Sequence, residues 1–277
     1  MLVSERPGHL GALAARAAEN GAELLVVVGG DGSVHEVVNG LLSANRAGDA
    51  ELAFLPQGTG KDVVRSLRVP RDLNGALATA RDGVVREIDV GVARFTGHDG
   101  APAAAFFVNF AGAGISGAIA HRANSASKAL GGRMSFMWAT VTVFARWRTV
   151  PMTVRVDGAE RNGRMLEVLA MNGDYTAGGM WMAPEARPDD GTLDVVVMGD
   201  VTKLDFLTAF PRIYRGTHLT HPKIELLRGR EVDVSAERPL PVVLDGEQPG
   251  TTPVRFEVHD QRLRVRVPAT SPLGAAA

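Results

Sequence analysis

The residues best suited to chemistry form a glycine-rich run at 29–36, which reads Gly-Gly-Asp-Gly-Ser-Val-His-Glu. A continuous apolar stretch at 24–28 precedes it, and apolar residues at helical spacing follow it from Val34 onward. This order predicts a strand buried on both faces, a tight turn and an amphipathic helix. Glycines let a backbone approach a ligand closely, and the first turn of a helix offers free N–H groups. The run therefore predicts a phosphate-binding turn, unless it is only a tight strand–helix connection.

Asp31 limits the ligands that this turn can bind directly, because a carboxylate repels a bare polyphosphate. Two interpretations stay open: a divalent cation lies between Asp31 and phosphate, or the carboxylate handles a proton. Ser33 can cap the helix or hydrogen-bond a phosphate oxygen.

A second glycine-rich run, Gln-Gly-Thr-Gly-Lys-Asp at 57–62, also follows a strand pattern and leads into a helix pattern. Neighbouring parallel strands that end in such turns open onto one crevice, so we expect both turns to face the same ligand. Thr59 can donate to a phosphate oxygen. Lys61 either neutralises phosphate charge or is a solvated lysine at the start of a helix.

Two acidic turns lie later in the chain. Residues 184–194 contain Asp189, Asp190 and Gly191, and carboxylates beside free carbonyls in a tight loop suit a hard cation. An ordinary Asp-Gly turn explains the same pattern equally well. The other turn, Asp245-Gly246-Glu247, follows an apolar strand and by itself indicates no more than a hairpin.

The elements that must position these residues divide the chain in two. Helix and strand signals alternate over 1–88, which predicts an α/β domain with a mostly parallel sheet. Short alternating segments dominate 89–268 and predict an antiparallel β-sandwich domain with helical insertions near 133–147 and 203–214. The last strand of this part is free to pack back on the first domain, and 269–277 is expected to be a disordered tail. The fold class is therefore α/β with a second, antiparallel domain.

Composition excludes several function classes. The chain has 277 residues, 45% hydrophobic and 22% charged, and it has no cysteine, so thiolate catalysis and Cys-ligated metal are excluded. Its 30 Lys and Arg balance 31 Asp and Glu, which argues against a nucleic-acid-binding protein. No signal-peptide pattern or membrane-spanning run is present, which points to a soluble, cytoplasmic protein. The apolar and basic segment 133–147 is either a lipid-facing lip or a core helix over the sandwich.

The motifs GGDGS-VHEVVNG, GTGKD, PEARPDDGTLDV and LDGE, in this order, resemble those of the diacylglycerol kinase catalytic-domain family. That family includes bacterial lipid kinases and sphingosine kinases, and the resemblance covers nearly the whole chain. It implies that ATP lies between the two domains and that a lipid at a membrane surface accepts the phosphate. It also implies a peripheral position at the inner membrane face and leaves a homodimer open.

The resemblance also implies site residues. Glu247 matches the proton acceptor and Asp31 the organiser of metal and nucleotide. A magnesium ion is expected at the Asp190 side chain and the carbonyls of Arg187 and Thr192. The positions that match nucleotide-binding residues are Ser4, Gly29, Gly30, Asp31, Gly32, Ser33, Val34, His35, Glu36, Gly58 and Thr59.

The chain departs from the family pattern at three places. The sequence begins after the family's usual first strand and its Asn-Pro-x-Ser-Gly phosphate loop. Ser33 replaces the usual Thr and keeps the hydroxyl, Lys61 stands where many members have Asn, and His35 stands where bacterial members often have Asn.

The expected reaction is therefore transfer of the ATP γ-phosphoryl group to a lipid hydroxyl, with diacylglycerol as the leading acceptor. The alternatives are another acceptor, namely a sphingoid base, phosphatidylglycerol, a polyprenol or a non-lipid polyol. A nucleotide-binding protein that has lost catalysis is the remaining alternative, because the first strand of the family is missing from the sequence.

Overall fold

A computed structural model describes residues 1–125 and 132–273. The helices are α1 (His9–Glu19), α2 (Asp31–Ser43), α3 (Asp62–Ser66), α4 (Leu73–Asp82), α5 (Ile115–Ser125), α6 (Gly132–Arg146) and α7 (Lys203–Ile213). The strands are β1 (Leu24–Gly29), β2 (Glu51–Pro56), β3 (Val84–Ile88), β4 (Gly91–Gly97), β5 (Pro102–Phe107), β6 (Phe110–Gly114), β7 (Val150–Val156), β8 (Ala159–Met165), β9 (Glu167–Met171), β10 (Tyr175–Thr176), β11 (Met180–Trp181), β12 (Leu193–Met198), β13 (Ile224–Gly229), β14 (Glu231–Ala236), β15 (Pro241–Leu244), β16 (Glu247–Val258) and β17 (Leu263–Val267).

The first lobe is built on a four-stranded sheet in the order β1-β2-β17-β3. Strand β2 pairs in parallel with both β1 and β17, and only the β17–β3 pair is antiparallel. The last strand of the chain thus returns to the first lobe, so this sheet unites two distant parts of the sequence. The α/β class with a mostly parallel sheet is confirmed.

Strand β1 differs from the prediction. Its side chains were expected to be buried on both faces, but Val26 is 45% and Val28 60% exposed, whereas Val27 is 7% exposed. The reason is its position, because β1 is at the edge of the sheet and pairs only with β2 in the described part of the chain. An apolar run alone does not distinguish an edge strand from a central one.

The second lobe is an eleven-stranded antiparallel sheet in the order β13-β12-β9-β6-β15-β16-β14-β7-β8, with β4 and β5 branching from β16. Strands β9 and β12 are buried along their whole length. Val195 and Val196 of β12 belong to different cores, one inside the curled sheet and one beneath the helices. The predicted antiparallel domain is confirmed, and its strands carry apolar side chains on both faces because two layers cover them.

The two predicted helical insertions are also present, as α6 and α7. Thr202 begins α7 with a capping box, in which its hydroxyl accepts from Asp205 N while the Asp205 carboxylate accepts from Thr202 N. Within the described ranges, no helix is both long enough and apolar enough to cross a membrane.

The tail 269–277, which was expected to be disordered, has a packed residue at the end of its described part. Leu273 is only 4% exposed, and its carbonyl oxygen accepts a hydrogen bond of 2.8 Å from Arg86 Nε. A single apolar residue in a small polar tail is enough to anchor it to the first lobe. Residues 274–277 lie outside the described residues.

Polar contacts hold the lobes together. Asn39 on α2 pairs with the Phe106 backbone of β5 through hydrogen bonds of 2.8 and 3.0 Å. Arg68, just after α3, donates to both carboxylate oxygens of Asp174, which is 1% exposed. These contacts lie beside the two glycine-rich turns, so they fix the turns relative to the antiparallel sheet.

Candidate active site

The two glycine-rich turns lie against each other, as predicted. Strands β1 and β2 pair in register up to Gly29 and Pro56, and Gln57 N donates to Gly29 O at 2.8 Å. A Cβ atom on Gly58 would lie 3.1 Å from Gly30 Cα. Such close approach of two backbones favours glycine at position 58.

Helix α2 begins directly at the first turn. Gly30 is its N-cap, and no side chain caps it. Ser33 therefore does not act as the cap that the sequence allowed, and its hydroxyl lies where a Cβ on Gly29 would be. The free N–H groups of the first turn and the helix dipole remain available to an anion.

Asp31 joins the two turns. Its carboxylate accepts hydrogen bonds from Val63 N at 3.2 Å and Asp62 N at 3.4 Å. Burial raises the pKa of Asp31, and the hydrogen bonds from Val63 and Asp62 only partly offset that effect. The carboxylate thus reaches from the start of one helix to the start of the next.

Asp62 is a site residue to which sequence reasoning assigned no role, although it ends the GTGKD motif. It is 6% exposed, and its Oδ2 accepts from Gly178 N at 2.7 Å. Its Oδ1 has no hydrogen-bond partner in the described residues, and Arg65 Nε lies 3.8 Å away. Burial raises the pKa of Asp62 to about 7, and the nearby charge of Asp31 contributes to the increase. A buried, incompletely satisfied carboxylate has capacity for a cation.

Glu247 comes from the other lobe and faces the first turn. A Cβ atom on Gly32 would lie 3.7 Å from Glu247 Oε1, and the glutamate is exposed to solvent. The distant motifs GGDG and LDGE are therefore close in space. We call Asp31, Gly32, His35, Asp62 and Glu247 the inter-lobe cluster.

Asp245 fixes the turn that carries Glu247, and it too had no predicted role beyond a hairpin. Its carboxylate accepts from Val108 N at 2.8 Å, Asn109 N at 2.9 Å and Phe110 N at 3.0 Å. Three backbone donors on one buried carboxylate hold the β15–β16 turn against the start of β6.

His35 connects α2 to this turn. Its Nδ1 lies 3.4 Å from Asp245 Oδ2, and its Nε2 lies 3.4 Å from Asn39 Nδ2. Burial by itself lowers the pKa of His35, but the hydrogen bond and charge of Asp245 and the charge of Glu247 outweigh it, so the net pKa is raised. His35 thus contacts the other lobe.

Several predicted nucleotide residues direct their side chains elsewhere. Glu36 Oε2 accepts from Leu10 N at 3.2 Å, and Ser4 Oγ donates to Arg6 O at 2.9 Å. Val34 is 4% exposed and belongs to the core of the first lobe, so only its backbone can serve a ligand. Thr59 is exposed on the second turn.

Lys61 also departs from its expected chemical role. Its ammonium group donates to Arg71 O at 2.9 Å. In this structure Lys61 therefore binds the backbone after α3 and does not point at the two glycine-rich turns. Its φ of 57° places it in the left-handed region, which asparagine adopts more readily than lysine.

The 184–194 turn holds the three predicted magnesium ligands close in sequence. Asp190 Oδ1 accepts from Thr192 N at 3.0 Å and from Thr192 Oγ1 at 2.7 Å, while the Arg187 side chain pairs with Asp189. A cation here would depend on Asp190 Oδ2 and backbone carbonyls. In the described ranges, no group of three or more His, Asp or Glu side chains is arranged to hold a metal.

Comparison with known proteins agrees with this geometry. Residues 1–93 match the diacylglycerol kinase catalytic domain, and residues 109–267, more than half of the chain, match the YegS C-terminal NAD kinase beta sandwich-like domain. A diacylglycerol kinase of Staphylococcus carnosus is 28% identical over 91% of this chain and 79% of its own length. One from Staphylococcus epidermidis is 27% identical over 96% of this chain and 80% of its own length.

The fold is shared with solved structures from Bacillus anthracis str. Sterne. A candidate diacylglycerol kinase has a TM-score of 0.75 at 24% identity, covering 97% of this chain and 85% of that one. A diacylglycerol kinase structure from the same organism has a TM-score of 0.71 at 22% identity, covering 98% and 85%. The matched domains, the relatives and the meeting of GGDG with LDGE lead to one conclusion: the chain belongs to the diacylglycerol kinase family of lipid kinases.

Proposed function

We propose that this protein transfers the γ-phosphoryl group of ATP to the free hydroxyl of diacylglycerol and releases phosphatidate and ADP. The observation that carries the proposal is the approach of Glu247 to Gly32, which brings a carboxylate of one lobe to the phosphate-type turn of the other. The relatives named diacylglycerol kinase support this acceptor.

In the proposed reaction, N–H groups of the α2 first turn and of the second glycine-rich turn bind the phosphates of ATP. Glu247 accepts the proton of the lipid hydroxyl as that oxygen attacks the γ-phosphorus. The bond from the γ-phosphorus to the bridging oxygen breaks, and ADP leaves with the electron pair. Phosphoryl transfer needs mainly positioning and charge neutralisation, which the two lobes together can supply.

Asp31 and Asp62 are the residues that would hold a magnesium ion in the inter-lobe cluster. The fit rests on Asp62 Oδ1, which is buried, lies 3.8 Å from Arg65 Nε and has no hydrogen-bond partner in the described residues, and on the nearby charge of Asp31. Magnesium would supply neutralisation of phosphate charge there. The predicted ligands Arg187, Asp190 and Thr192 remain a second, structural magnesium proposal.

The test is Glu247→Gln, which keeps the size of the side chain and removes the base. Transfer from labelled ATP to diacylglycerol should fall by at least roughly 10²-fold, the usual contribution of a general base, with ATP binding unchanged. Glu237→Gln is the matched control, because Glu237 is an exposed glutamate in the connection before β15. Unchanged turnover in Glu247→Gln would remove Glu247 from the mechanism.

The acceptor is tested separately with wild-type protein. Diacylglycerol, a sphingoid base, phosphatidylglycerol, a polyprenol and a polyol are offered in turn with labelled ATP. The proposal requires the highest kcat/KM for diacylglycerol. A higher value for any other acceptor keeps the chemistry and replaces the substrate.

A further inference from the structure

The charge of the chain is distributed unevenly. The whole sequence is nearly neutral, with 30 Lys and Arg and 31 Asp and Glu, yet residues 101–156 contain neither Asp nor Glu. The same segment has six cationic residues: Arg122, Lys128, Arg133, Arg146, Arg148 and Arg155. It includes helices α5 and α6, so these helices carry basic charge with no acidic side chain between them.

Helix α6 also presents apolar side chains to solvent. Trp138 is 66%, Val141 56% and Met137 40% exposed, although Ala139 and Thr140 on the same helix are buried. Residues at i, i+3 and i+4 share one helical face, so the three exposed side chains form a continuous apolar strip. Exposed tryptophan at this level is unusual on a protein surface that contacts only water.

The apolar strip continues onto α7. Phe144 of α6 stacks on Phe206 of α7 with ring centroids 3.7 Å apart, and the Lys203 ammonium donates to Ala145 O. Leu204, the next residue, is 71% exposed. The first turn of α7 thus adds a leucine and a lysine at the C-terminal end of α6.

Helices α5 and α6 also carry exposed arginines. A cavity of about 330 Å³ between α5 and α6 is lined by Arg122, Thr142, Val143, Arg146 and Trp147. Neither Arg122 nor Arg146 forms an ion pair in the described ranges of the chain, and both are exposed. Exposed guanidinium groups on the helices that carry an apolar strip match a phosphate layer next to acyl chains.

These helices are attached to the turn that carries Glu247. Helix α5 follows β6 directly, and the first residue of β6, Phe110, donates its N–H to Asp245 at 3.0 Å. A Cβ atom on Gly117 of α5 would lie 2.8 Å from Pro241, at the start of β15. A surface on α5 and α6 is therefore held at a fixed position relative to the proposed base.

We propose that α5, α6 and the start of α7 form a docking surface for an anionic phospholipid bilayer. This basic-apolar surface consists of Arg122, Met137, Trp138, Val141, Arg146 and Leu204. Tryptophan, valine and leucine enter the interfacial region, and the arginines bind lipid phosphates. The inference rests on the proposed lipid substrate, and it adds which face of the protein meets the membrane.

The experiment is co-sedimentation of the full chain with vesicles in the absence of ATP. Phosphatidylcholine vesicles are compared with vesicles of equal parts phosphatidylcholine and phosphatidylglycerol, both without diacylglycerol. Binding to the anionic vesicles should be stronger and should weaken as salt is added. Equal binding to both vesicles, or none to either, overturns the inference.

The double variant Trp138→Ser and Val141→Ser should reduce vesicle partitioning by at least roughly tenfold, because two large apolar side chains lose their burial in lipid. Arg146→Glu should reduce it by at least about fivefold on anionic vesicles only. The matched control is Leu73→Ser with Leu77→Ser, since these α4 leucines are 49% and 46% exposed on the other lobe. If the α4 control variant and the Trp138 and Val141 variant bound vesicles equally well, the surface assignment would be overturned.

Catalysis is read separately with a short-chain diacylglycerol dispersed as monomers. The surface variants should keep wild-type transfer to this acceptor and lose transfer to diacylglycerol in anionic vesicles. Normal vesicle binding without transfer to either acceptor contradicts the proposed function and leaves the surface standing. Self-association of the wild type that the Trp138 and Val141 variant abolishes, without vesicle binding, replaces the bilayer by a second copy and overturns the inference.

Discussion

The carboxylates of Asp31 and Asp62 and those near the 184–194 turn resemble each other in sequence, but their surroundings differ. Near the turn, Asp194 is 1% exposed and is paired with Arg228 at 2.9 Å. In the inter-lobe cluster, Asp31 and Asp62 accept hydrogen bonds from backbone N–H groups, and the described residues place no cation within hydrogen-bond distance of either. Asp194 thus has an arginine that hydrogen-bonds one carboxylate oxygen, although its Oδ2 has no partner in the described residues. Asp31 and Asp62 have backbone donors and, for Asp62, Arg65 at 3.8 Å, so they have more capacity for a cation.

The presence or absence of a paired arginine helps to distinguish carboxylates that stabilise the fold from carboxylates that serve a ligand. A buried carboxylate without a countercharge destabilises a fold, and its pKa rises. Burial raises the pKa of Asp62 to about 7, and the nearby charge of Asp31 adds to the increase. Such a residue is a candidate for function when it also lies at a cleft beside other site residues, as Asp62 does beside Asp31, while a buried carboxylate with its own arginine is sufficiently explained by packing.

The largest expected effect comes from Asp31→Asn. Removing the charge that faces both glycine-rich turns should lower kcat by on the order of 10³-fold, the scale of a lost electrostatic group in an active site. Transfer is measured with labelled ATP and diacylglycerol. Asp194→Asn serves as the control, because it alters a buried carboxylate outside the inter-lobe cluster. A similar loss of kcat in both variants would mean that the loss comes from damage to the fold and not from a catalytic role of Asp31.

The second prediction concerns the stability of the ligand-free protein against pH. The pKa of Asp62 is raised from 3.8 to about 7, so the folded state binds more protons than the unfolded state between these values. The free energy of unfolding should therefore fall as pH rises through this window, by about 4 kcal/mol from this group. Asp62→Asn should flatten that part of the curve in urea unfolding at a series of pH values.

Glu167 provides the control for this measurement. It is 2% exposed, it accepts hydrogen bonds from the Ser116 N–H and hydroxyl, and burial raises its pKa from 4.5 to about 8. Glu167→Gln should remove the corresponding loss of stability from about pH 4.5 to 8 without changing lipid phosphorylation. If Asp62→Asn leaves the pH curve unchanged, the Asp62 carboxylate is not buried in solution as described.

The third prediction concerns the Arg228–Asp194 ion pair, where a substitution should lower the free energy of unfolding. Arg228→Ala leaves Asp194 buried without its partner and should lower the free energy of unfolding by about 1–3 kcal/mol, a range reduced because Arg228 is 48% exposed. Urea unfolding at neutral pH measures the change, and kcat should stay at the wild-type value. An unaltered midpoint would show that Asp194 does not depend on Arg228.

Features of the fold that depend on local sequence patterns could be predicted. Two strand–turn–helix units implied parallel strands and adjacent turns, and this juxtaposition is confirmed at Gly30 and Gly58. It did not predict that Asp245 binds three N–H groups of 108–110, because that contact depends on the pairing of β15 with β6 across a long separation. The approach of Glu247 to Gly32 came only from the family resemblance, since no spacing rule joins residues so distant in the chain.

Topology explains the remaining errors. The apolar run of β1 predicted burial on both faces, but β1 pairs only with β2 in the described part of the chain, and no single strand encodes which neighbours cover it. Asp62 was quoted within a motif but received no role, because its burial arises from Gly178 in the other lobe. Burial and pairing are properties of the assembled lobes, and these properties distinguish Asp62 from Asp190.

The smallest expected effect tests whether the contact between lobes serves catalysis. His35 lies 3.4 Å from Asp245, which fixes the turn of Glu247, so His35 acts as a positioning residue. His35→Ala should lower kcat by roughly tenfold, since a charge-assisted hydrogen bond contributes about 1.5–3 kcal/mol and not all of it reaches the transition state. His35→Asn, which keeps a side-chain hydrogen-bond donor at this position, should recover most of the loss.

The pH profile separates this positioning role from a purely structural one. The groups facing His35 are Asp245, Glu247 and Glu36, and all of them favour the protonated ring, so its pKa is raised. The contact is therefore fully present below the ordinary pKa and is lost as pH rises through the raised value. Wild-type kcat should show a decline on this alkaline side that His35→Asn lacks, because asparagine does not titrate. Identical profiles for the two proteins would leave the ring without influence on Glu247, and the link between the lobes would then contribute to stability alone.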